Sequence, residues 1–310
     1  MRLSIIAVGA LATIATVAFR APNVIEPLPR PMHARESFIV GMLRVDHFGT
    51  AGHTPIIFIP ALFCGASQWQ RQIAELSDRY DIFALTLPGF DGRPRDTDGN
   101  LMNRAVADIS TLIRTRHLDH PIVVGHSLGG TLAILFASSH SNESRGIIAV
   151  EGGYPVAPTA ELREKSVRES IAPYVGIAPA AFGDSINEHM LRYVIRSKSD
   201  ADSVALAAGR SDPAAVVDWM RAALLLDLTP RLSMVAIPLK EIVPFDSAID
   251  RYQGFANLEG KRSAYIAFLA HAPNGSLAMI DHSRHFVMID QPSAFDHALY
   301  AAIDMDDHGS

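Results

Sequence analysis

Short apolar runs alternate with amphipathic segments along the chain from residue 38 onward. Seven runs are predicted to be strands: 38–48, 55–61, 81–87, 121–126, 146–151, 238–244 and 275–281. Several of them are apolar almost throughout, which is typical of parallel strands buried on both faces. Between the runs, apolar residues recur at helical spacing, as in 67–79 and 101–117. The alternation predicts an α/β fold with a doubly wound, mostly parallel sheet.

One long segment, residues 154–235, interrupts this alternation. It contains no good strand but several helical patterns, one of which begins at Ser211-Asp212-Pro213, a cap followed by an early proline. The segment is short for an independent domain, and it lies between two predicted sheet strands. We therefore predict a helical cap over residues 154–235, inserted in a core formed by residues 38–153 and 236–305.

The N-terminal region has a different character. Residues 3–19 carry no charge and follow Met1-Arg2, and Thr16 and Ala18 are small enough for a cleavage site. Residues 1–20 are interpreted as a signal peptide, with an uncleaved membrane anchor or a buried first helix as alternatives. The Pro-rich residues 21–37 are predicted to form an extended tether. We expect an exported protein, periplasmic or secreted, or one that its N-terminus holds at the membrane.

Composition narrows the class of protein further. The 310 residues are 48% hydrophobic and carry 27 Lys and Arg against 33 Asp and Glu, a net charge of −6. A mildly acidic chain lacks the basic surface that nucleic acids require, so no nucleic-acid partner is expected. The single cysteine, Cys64, excludes an internal disulfide and a cysteine-based metal cluster. The composition fits an ordinary globular domain with a sizeable core.

The segment with the clearest chemical signature is Gly125-His126-Ser127-Leu128-Gly129-Gly130. It has the pattern G-x-S-x-G and lies between a predicted buried strand and the helical run 131–139. A serine on such a sharp turn needs small neighbours, and the following helix directs its N-terminal amides toward developing negative charge. The pattern predicts Ser127 as a nucleophile, with an ordinary serine in a Gly-rich turn as the alternative.

A nucleophilic serine needs a general base and an acid that orients it. His285 lies in the loop after the last predicted strand and is the predicted base, with His282 in reserve. Asp246 follows the strand over 238–244 and is the predicted acid. The other interpretation of Asp246 is a turn residue or the N-cap of the next helix.

An oxyanion hole requires backbone amides beside the nucleophile. The amide of Leu128, the residue after Ser127, is predicted to supply one of them. The second is predicted from the loop 59–69, from Leu62, with Phe63 as the alternative. The alternative interpretation of that loop is an ordinary connection between a strand and a helix.

From about Phe38 to about Ile303 the chain resembles the α/β-hydrolase superfamily, in the lid-bearing branch of esterases and lipases. The resemblance rests on the serine turn 125–130, on the oxyanion loop closed by Trp69, and on weaker matches over 86–92 and 284–292. The order Ser127, Asp246, His285 agrees with the family order of nucleophile, acid and base.

The sequence departs from the family pattern mainly near the acid. The segment Val243-Pro244-Phe245-Asp246 lacks the glycine of the family's turn, and the charged pair Lys240-Glu241 lies in a strand expected to be buried. Glu151 ends the strand after the serine helix, where some related dehalogenase-like enzymes have their acid. The resemblance therefore leaves Glu151 as the alternative acid, and Asp250 as a weaker one.

The resemblance implies a serine hydrolase that cleaves an ester of a small or medium apolar substrate through an acyl-enzyme, without a metal or organic cofactor. Acyl transfer, perhydrolysis by a cofactor-free haloperoxidase and C–C bond hydrolysis are alternatives on the same triad. A binding protein on an inactive hydrolase scaffold is the alternative that is not an enzyme. Six apolar cap residues are candidates for lining the substrate pocket: Ile171, Val175, Ile177, Phe182, Met190 and Trp219.

Overall fold

The computed structural model describes residues 32–308. The predicted signal peptide and most of the predicted tether lie outside the described residues, so export stays a prediction from the sequence. Among residues 32–308, none of the helices combines the length and the apolar character that crossing a membrane would need.

Eight strands form one sheet in the order β1-β2-β4-β3-β5-β6-β7-β8. Both pairings of β2, with β1 and with β4, are antiparallel, and all other pairings are parallel. The predicted α/β fold with a mostly parallel sheet is therefore confirmed. The strands are β1 (Glu36–Val40), β2 (Leu43–Gly49), β3 (Pro55–Ile59), β4 (Asp81–Thr86), β5 (Ile122–His126), β6 (Gly146–Val150), β7 (Leu239–Phe245) and β8 (Gly275–Asp281).

The first predicted strand, 38–48, is wrong as a single element. The structure divides this run into β1 and β2, which pair as a tight hairpin with Val40 opposite Leu43. Gly41 in the turn has a φ of 54°, a conformation that glycine adopts without a steric clash because it has no Cβ. The apolar run continues through the turn, so hydrophobic patterning alone does not reveal it.

Twelve α-helical segments occur in the described residues, joined in places by short 3₁₀ turns and one π-helical turn. In the core these are α1 (Gln70–Leu76), α2 (Leu101–Thr115), α3 (Leu128–His140), α9 (Ser247–Asp250), α10 (Leu258–Leu269), α11 (Val287–Asp290) and α12 (Pro292–His308). Between β6 and β7 they are α4 (Ala160–Ile171), α5 (Pro179–Ile186), α6 (Arg192–Val194), α7 (Lys198–Ala208) and α8 (Pro213–Leu224).

The centre of the sheet is fully buried. Every residue of β3, β4, β5 and β6 is buried, as the apolar runs of the sequence predicted. Because the strands on either side of β5 run parallel to it, their carboxyl ends meet at one edge of the sheet. This is the edge at which ligands bind in open α/β sheets.

Helices α4 to α8 occupy the segment predicted as a cap, and their second half is joined to loops of the core. The indole Nε1 of Trp219 donates to the Pro88 carbonyl at 3.1 Å, and the Asp212 amide donates to the Gly89 carbonyl at 2.7 Å. Ser211 Oγ donates to the Phe63 carbonyl at 3.1 Å. These bonds fix the start of α8 over the loop that carries the predicted oxyanion amides.

Candidate active site

Ser127 lies at the sharp turn between β5 and α3. Its backbone has φ 55° and ψ −114°, a strained conformation for a residue with a side chain. The strain is held by the bond from its amide to the Val150 carbonyl, at 2.9 Å. A Cβ at Gly125 would overlap the carbonyl of Gly129, and one at Gly129 would overlap the carbonyl of Ile59. The two glycines of the pattern are therefore steric requirements of the turn.

The imidazole of His285 is paired with Glu151. His285 Nδ1 lies 2.6 Å from Glu151 Oε2, and the two side chains are 27% and 12% exposed. A carboxylate can only accept a hydrogen bond, so Nδ1 carries the proton and Nε2 keeps the lone pair that a general base requires. Glu151 follows the last residue of β6 with a φ of 43°.

The pairing expected between Asp246 and His285 is not formed, and this corrects the first choice of acid. Asp246 Oδ1 accepts the Ala248 amide at 2.9 Å and caps α9, as its alternative interpretation had it. Its Oδ2 accepts from Arg284 Nε at 3.2 Å and lies 3.4 Å from Arg196 Nε. The carboxylate of Asp246 therefore stabilises a helix start and two arginines.

The reserve candidates lie elsewhere. The His282 side chain is 67% exposed beside Asp281. Asp250 is buried and contacts Lys261 rather than the imidazole of His285. Neither residue replaces the pair formed by His285 and Glu151.

A buried cation lies on the other side of Glu151. Lys261 Nζ, on α10, donates to Glu151 Oε1 at 2.5 Å and to Asp250 Oδ1 at 2.7 Å. Burial by itself would raise the pKa of Glu151, but the charge of Lys261 and the bond from His285 outweigh it and lower that pKa to about 2. Glu151 is therefore ionised at neutral pH, as a partner for an imidazolium must be.

The predicted oxyanion residues line the cavity at Ser127. Leu62, Phe63 and Leu128 line the same cavity as Ser127 and His285. The bond that closes the turn over 61–64 runs from the Cys64 amide to the Ala61 carbonyl and leaves the Leu62 and Phe63 amides out of it. The geometry does not rank the Leu62 amide above that of Phe63.

A hydrogen-bonded bridge joins the oxyanion loop, the serine turn and the histidine loop. The Ala61 amide donates to Gln68 Oε1 at 2.9 Å, and Gln68 Nε2 lies 2.9 Å from His126 Nδ1. His126 Nε2 lies 2.8 Å from the carbonyl of His285. Since the Gln68 amide oxygen is occupied by a donor, its nitrogen donates to His126. We call this chain from Ala61 to His285 the bridge.

His126 is uncharged in the bridge. Burial and the neighbouring His285 lower the pKa of His126 to about 3. Its Nδ1 accepts from Gln68, so its single proton lies on Nε2 and is donated to the main chain of His285. The bridge holds the backbone of His285, whereas Glu151 orients its ring.

The cavity over Ser127 has a volume of about 660 Å³, within the usual range for small-molecule sites. Its walls are largely apolar and come from the segment between β6 and β7, from the segment after β7 and from the core loops beside Ser127 and His285. Of the six cap residues predicted to line it, Met190 does so. Phe182 and Trp219 are buried in the core, and Val175 is 61% exposed. The other lining residues from the cap include Val194, Met220, Leu224 and Leu226.

Glu241, on β7, is one charged residue that the sequence placed in a buried strand, and the structure buries it completely. Burial, with the nearby charge of Glu151, raises the pKa of Glu241 well above its usual value, which favours the uncharged carboxyl. In the part of the chain that the structure describes, no three His, Cys, Asp or Glu side chains are grouped so as to hold a metal ion.

Comparison with known proteins places the fold in context. The family model described as "Alpha/beta hydrolase family" matches residues 56–298, well over half of the chain. A solved carboxylesterase structure from the thaumarchaeon Nitrososphaera gargenis covers 89% of this chain and 99% of its own, with a TM-score of 0.72 at 17% identity. At that identity the likeness is one of fold.

Two curated relatives match part of the chain. A (lyso)-N-acylphosphatidylethanolamine lipase from Mus musculus is 32% identical over 113 residues, 34% of this chain and 32% of the relative. A 1-acylglycerol-3-phosphate O-acyltransferase from Pongo abelii is 28% identical over 133 residues, 41% of this chain and 38% of the relative. The matched segments thus span about a third of the length of these relatives.

Proposed function

Since the chain belongs to the α/β hydrolase family, we propose that it is a serine hydrolase that cleaves a carboxylic ester through an acyl-enzyme. The proposal rests on one observation above all. The His285 imidazole is held by the ionised Glu151, and it lines the same cavity as Ser127 on its strained turn. In the proposal Ser127 is the nucleophile, His285 the base and Glu151 the acid that orients it.

In the proposed reaction, Ser127 Oγ attacks the ester carbonyl while its proton passes to His285 Nε2. The amides of Leu128 and of Leu62 or Phe63 stabilise the negative charge on the tetrahedral oxygen. Glu151 stabilises the imidazolium, which then protonates the departing alcohol. Water, deprotonated by His285, releases the acid from Ser127 and restores the enzyme.

The cavity favours small and medium apolar acyl groups. Its volume is about 660 Å³, and side chains such as Met190, Val194, Met220 and Phe255 line it. Apolar walls contribute affinity in proportion to the apolar surface that the substrate buries. We expect turnover of p-nitrophenyl esters to rise from acetate to butyrate or octanoate and to fall for palmitate, which outgrows the cavity.

A labelling experiment tests the nucleophile. A fluorophosphonate probe should label the wild-type chain on Ser127, and Ser127→Ala should lose both labelling and ester turnover while its melting temperature stays close to that of the wild type. Ser139→Ala is the matched control, because Ser139 is an exposed serine on α3, the helix that follows Ser127. Undiminished turnover by Ser127→Ala would refute the proposal.

Acyl transfer is the second candidate, favoured by the name of the acyltransferase relative. The acyl-enzyme is common to both reactions, and only the acceptor differs. Partition between water and an added alcohol, such as glycerol or a lysophospholipid, separates the two. A product ratio that simply follows acceptor concentration favours hydrolysis, whereas saturable preference for one alcohol favours transfer.

A further inference from the structure

A buried pair of opposite charges lies behind Glu151, on the side away from His285. Lys261 is 2% exposed and Asp250 5% exposed at the side chain, and Lys261 Nζ joins the two carboxylates. The second oxygen of Asp250 accepts the Asp246 amide at 2.7 Å. Asp250, Lys261, Glu151 and His285 therefore form one continuous row, which we call the charge row.

The charge row gives Glu151 a second fixed contact. A glutamate side chain has three rotatable bonds, and the bond to His285 restrains only one of its oxygens. The ammonium of Lys261 can only donate, so it keeps Glu151 Oε1 turned toward itself and Oε2 toward the imidazole. Loss of the ammonium would free the carboxylate to leave the imidazole.

The net charge of the row also favours proton transfer from Ser127 to His285. With a neutral imidazole the row carries two negative charges and one positive, and with an imidazolium it carries two of each. The row is thus electroneutral in the state that follows proton abstraction from Ser127. Without Asp250 the imidazolium state would carry an excess positive charge, and without Lys261 the resting state would carry two uncompensated negative ones.

Other groups near Glu151 complete its surroundings. They are His126 on β5, Glu241 on β7, Tyr265 on α10 and Tyr154 in the loop after β6. Burial lowers the pKa of His126 and raises the pKa of the other three, and each shift favours the uncharged form. Because the uncharged form of each neighbour is favoured, the charges considered to act on Glu151 are those of the charge row, whose contacts the geometry gives.

We propose that Lys261 and Asp250 are positioning residues of the active site. Lys261 holds the Glu151 carboxylate against His285, and Asp250 partly neutralises the charge of Lys261 and so reduces its repulsion of the imidazolium. This inference rests on the proposed function and names two residues outside the triad, of which Lys261 also lines the cavity over Ser127. It predicts that removing the cation and removing its distal anion act on the base in opposite directions.

The test uses the full chain with the fluorophosphonate probe, whose reaction with Ser127 does not depend on knowing the substrate. Labelling rate is followed from acid to alkaline pH. Lys261→Met should move the acidic limb of the profile to higher pH, because an uncompensated Glu151 holds the imidazolium. Asp250→Asn should move it to lower pH, since the whole lysine charge then opposes the imidazolium. Each shift should be roughly one pH unit.

The labelling rate at optimal pH separates a positioning role from a general loss of structure. Lys261→Met should also slow labelling at optimal pH by about 10- to 100-fold, because Glu151 loses its second contact. Lys198→Met is the matched control, since Lys198 is an exposed lysine paired with Asp202 on α7. It should leave both the limb and the plateau unchanged.

The outcomes are distinguishable. The inference is wrong if the acidic limb of the pH profile stays at the wild-type pH in both variants, or moves in the same direction in both. Ser127 would remain the nucleophile in either case. If Lys261→Met does not fold, the double variant Lys261→Met/Asp250→Asn removes the excess buried charge, and Asp250→Asn alone still decides the sign. A wild-type chain that is never labelled on Ser127 would refute the proposed function, and this inference with it.

Discussion

Replacing Glu151 by glutamine should have a larger effect than the loss of one negative charge. Lys261 Nζ can only donate, so it selects the amide oxygen of the new side chain and turns the amide NH₂ toward His285. The imidazole must then accept at Nδ1 and carry its proton on Nε2. In that tautomer it cannot take the proton of Ser127.

The magnitude follows from the two contacts. Restoring the reactive tautomer would place the amide NH₂ against the buried ammonium, at a cost of about 3 kcal/mol. The neutral amide also stabilises the imidazolium less than a carboxylate does, by about 2 kcal/mol. Together these terms correspond to a decrease in kcat of between 10³- and 10⁴-fold.

Asp246→Asn is the matched comparison. It should keep at least a tenth of the wild-type kcat, because Asn can still cap α9 through its side-chain oxygen, and it should lower stability by about 1 kcal/mol through weaker bonds to Arg284 and Arg196. Steady-state ester turnover and thermal unfolding of both variants, measured side by side, give the ranking. A collapse of kcat in Asp246→Asn with near-normal activity in Glu151→Gln would refute the reasoning.

Three further outcomes are expected. Gln68→Leu breaks two bonds of the bridge and should slow labelling of Ser127 about 10- to 100-fold with the fold intact; wild-type labelling would contradict the role of the bridge. Glu241→Gln should stabilise the protein relative to the wild type, and by more at pH 7 than at pH 5. The folded-state pKa of Glu241 is raised, so the wild type loses stability as pH rises above the unfolded value of 4.5; urea unfolding with an equal gain at both pH values would contradict this. Gly125→Ala should cost about 3 kcal/mol in the same assay because its Cβ overlaps backbone, whereas Gly260→Ala on α10 meets only ordinary contacts and should cost nothing.

The sequence predicted best those elements whose structure depends on residues close together in the chain. The serine turn needs Gly125 and Gly129 for steric reasons within six residues, and the buried strands need continuous apolar runs. Both signals can be read from neighbouring residues. The hairpin of β1 and β2 was missed because apolar residues continue across its turn.

The sequence ranked Asp246 ahead of Glu151 as the acid, and there is a physical reason why this order differs from the contact that His285 makes. Glu151 and Asp246 both follow strand ends at the same edge of the sheet, and which carboxylate reaches His285 depends on backbone direction after each strand. A positive φ at Glu151 and a helix start at Asp246 decide it. Lys261 is 110 residues from Glu151 along the chain, and no spacing rule links the two. Its only signal was a charged residue on the buried side of a helix.

The bridge constrains how parts of this protein can be exchanged with those of its relatives. It starts at an amide that can only donate and ends at a carbonyl that can only accept, so every bond between them has a fixed direction. A chimaera that imports the serine turn without a histidine at 126 would leave Gln68 with a donor and no acceptor. One that imports an oxyanion loop without a glutamine at 68 would leave His126 Nδ1 as an acceptor without its donor. Gln68 and His126 would therefore have to be exchanged together, although 58 residues separate them in the chain.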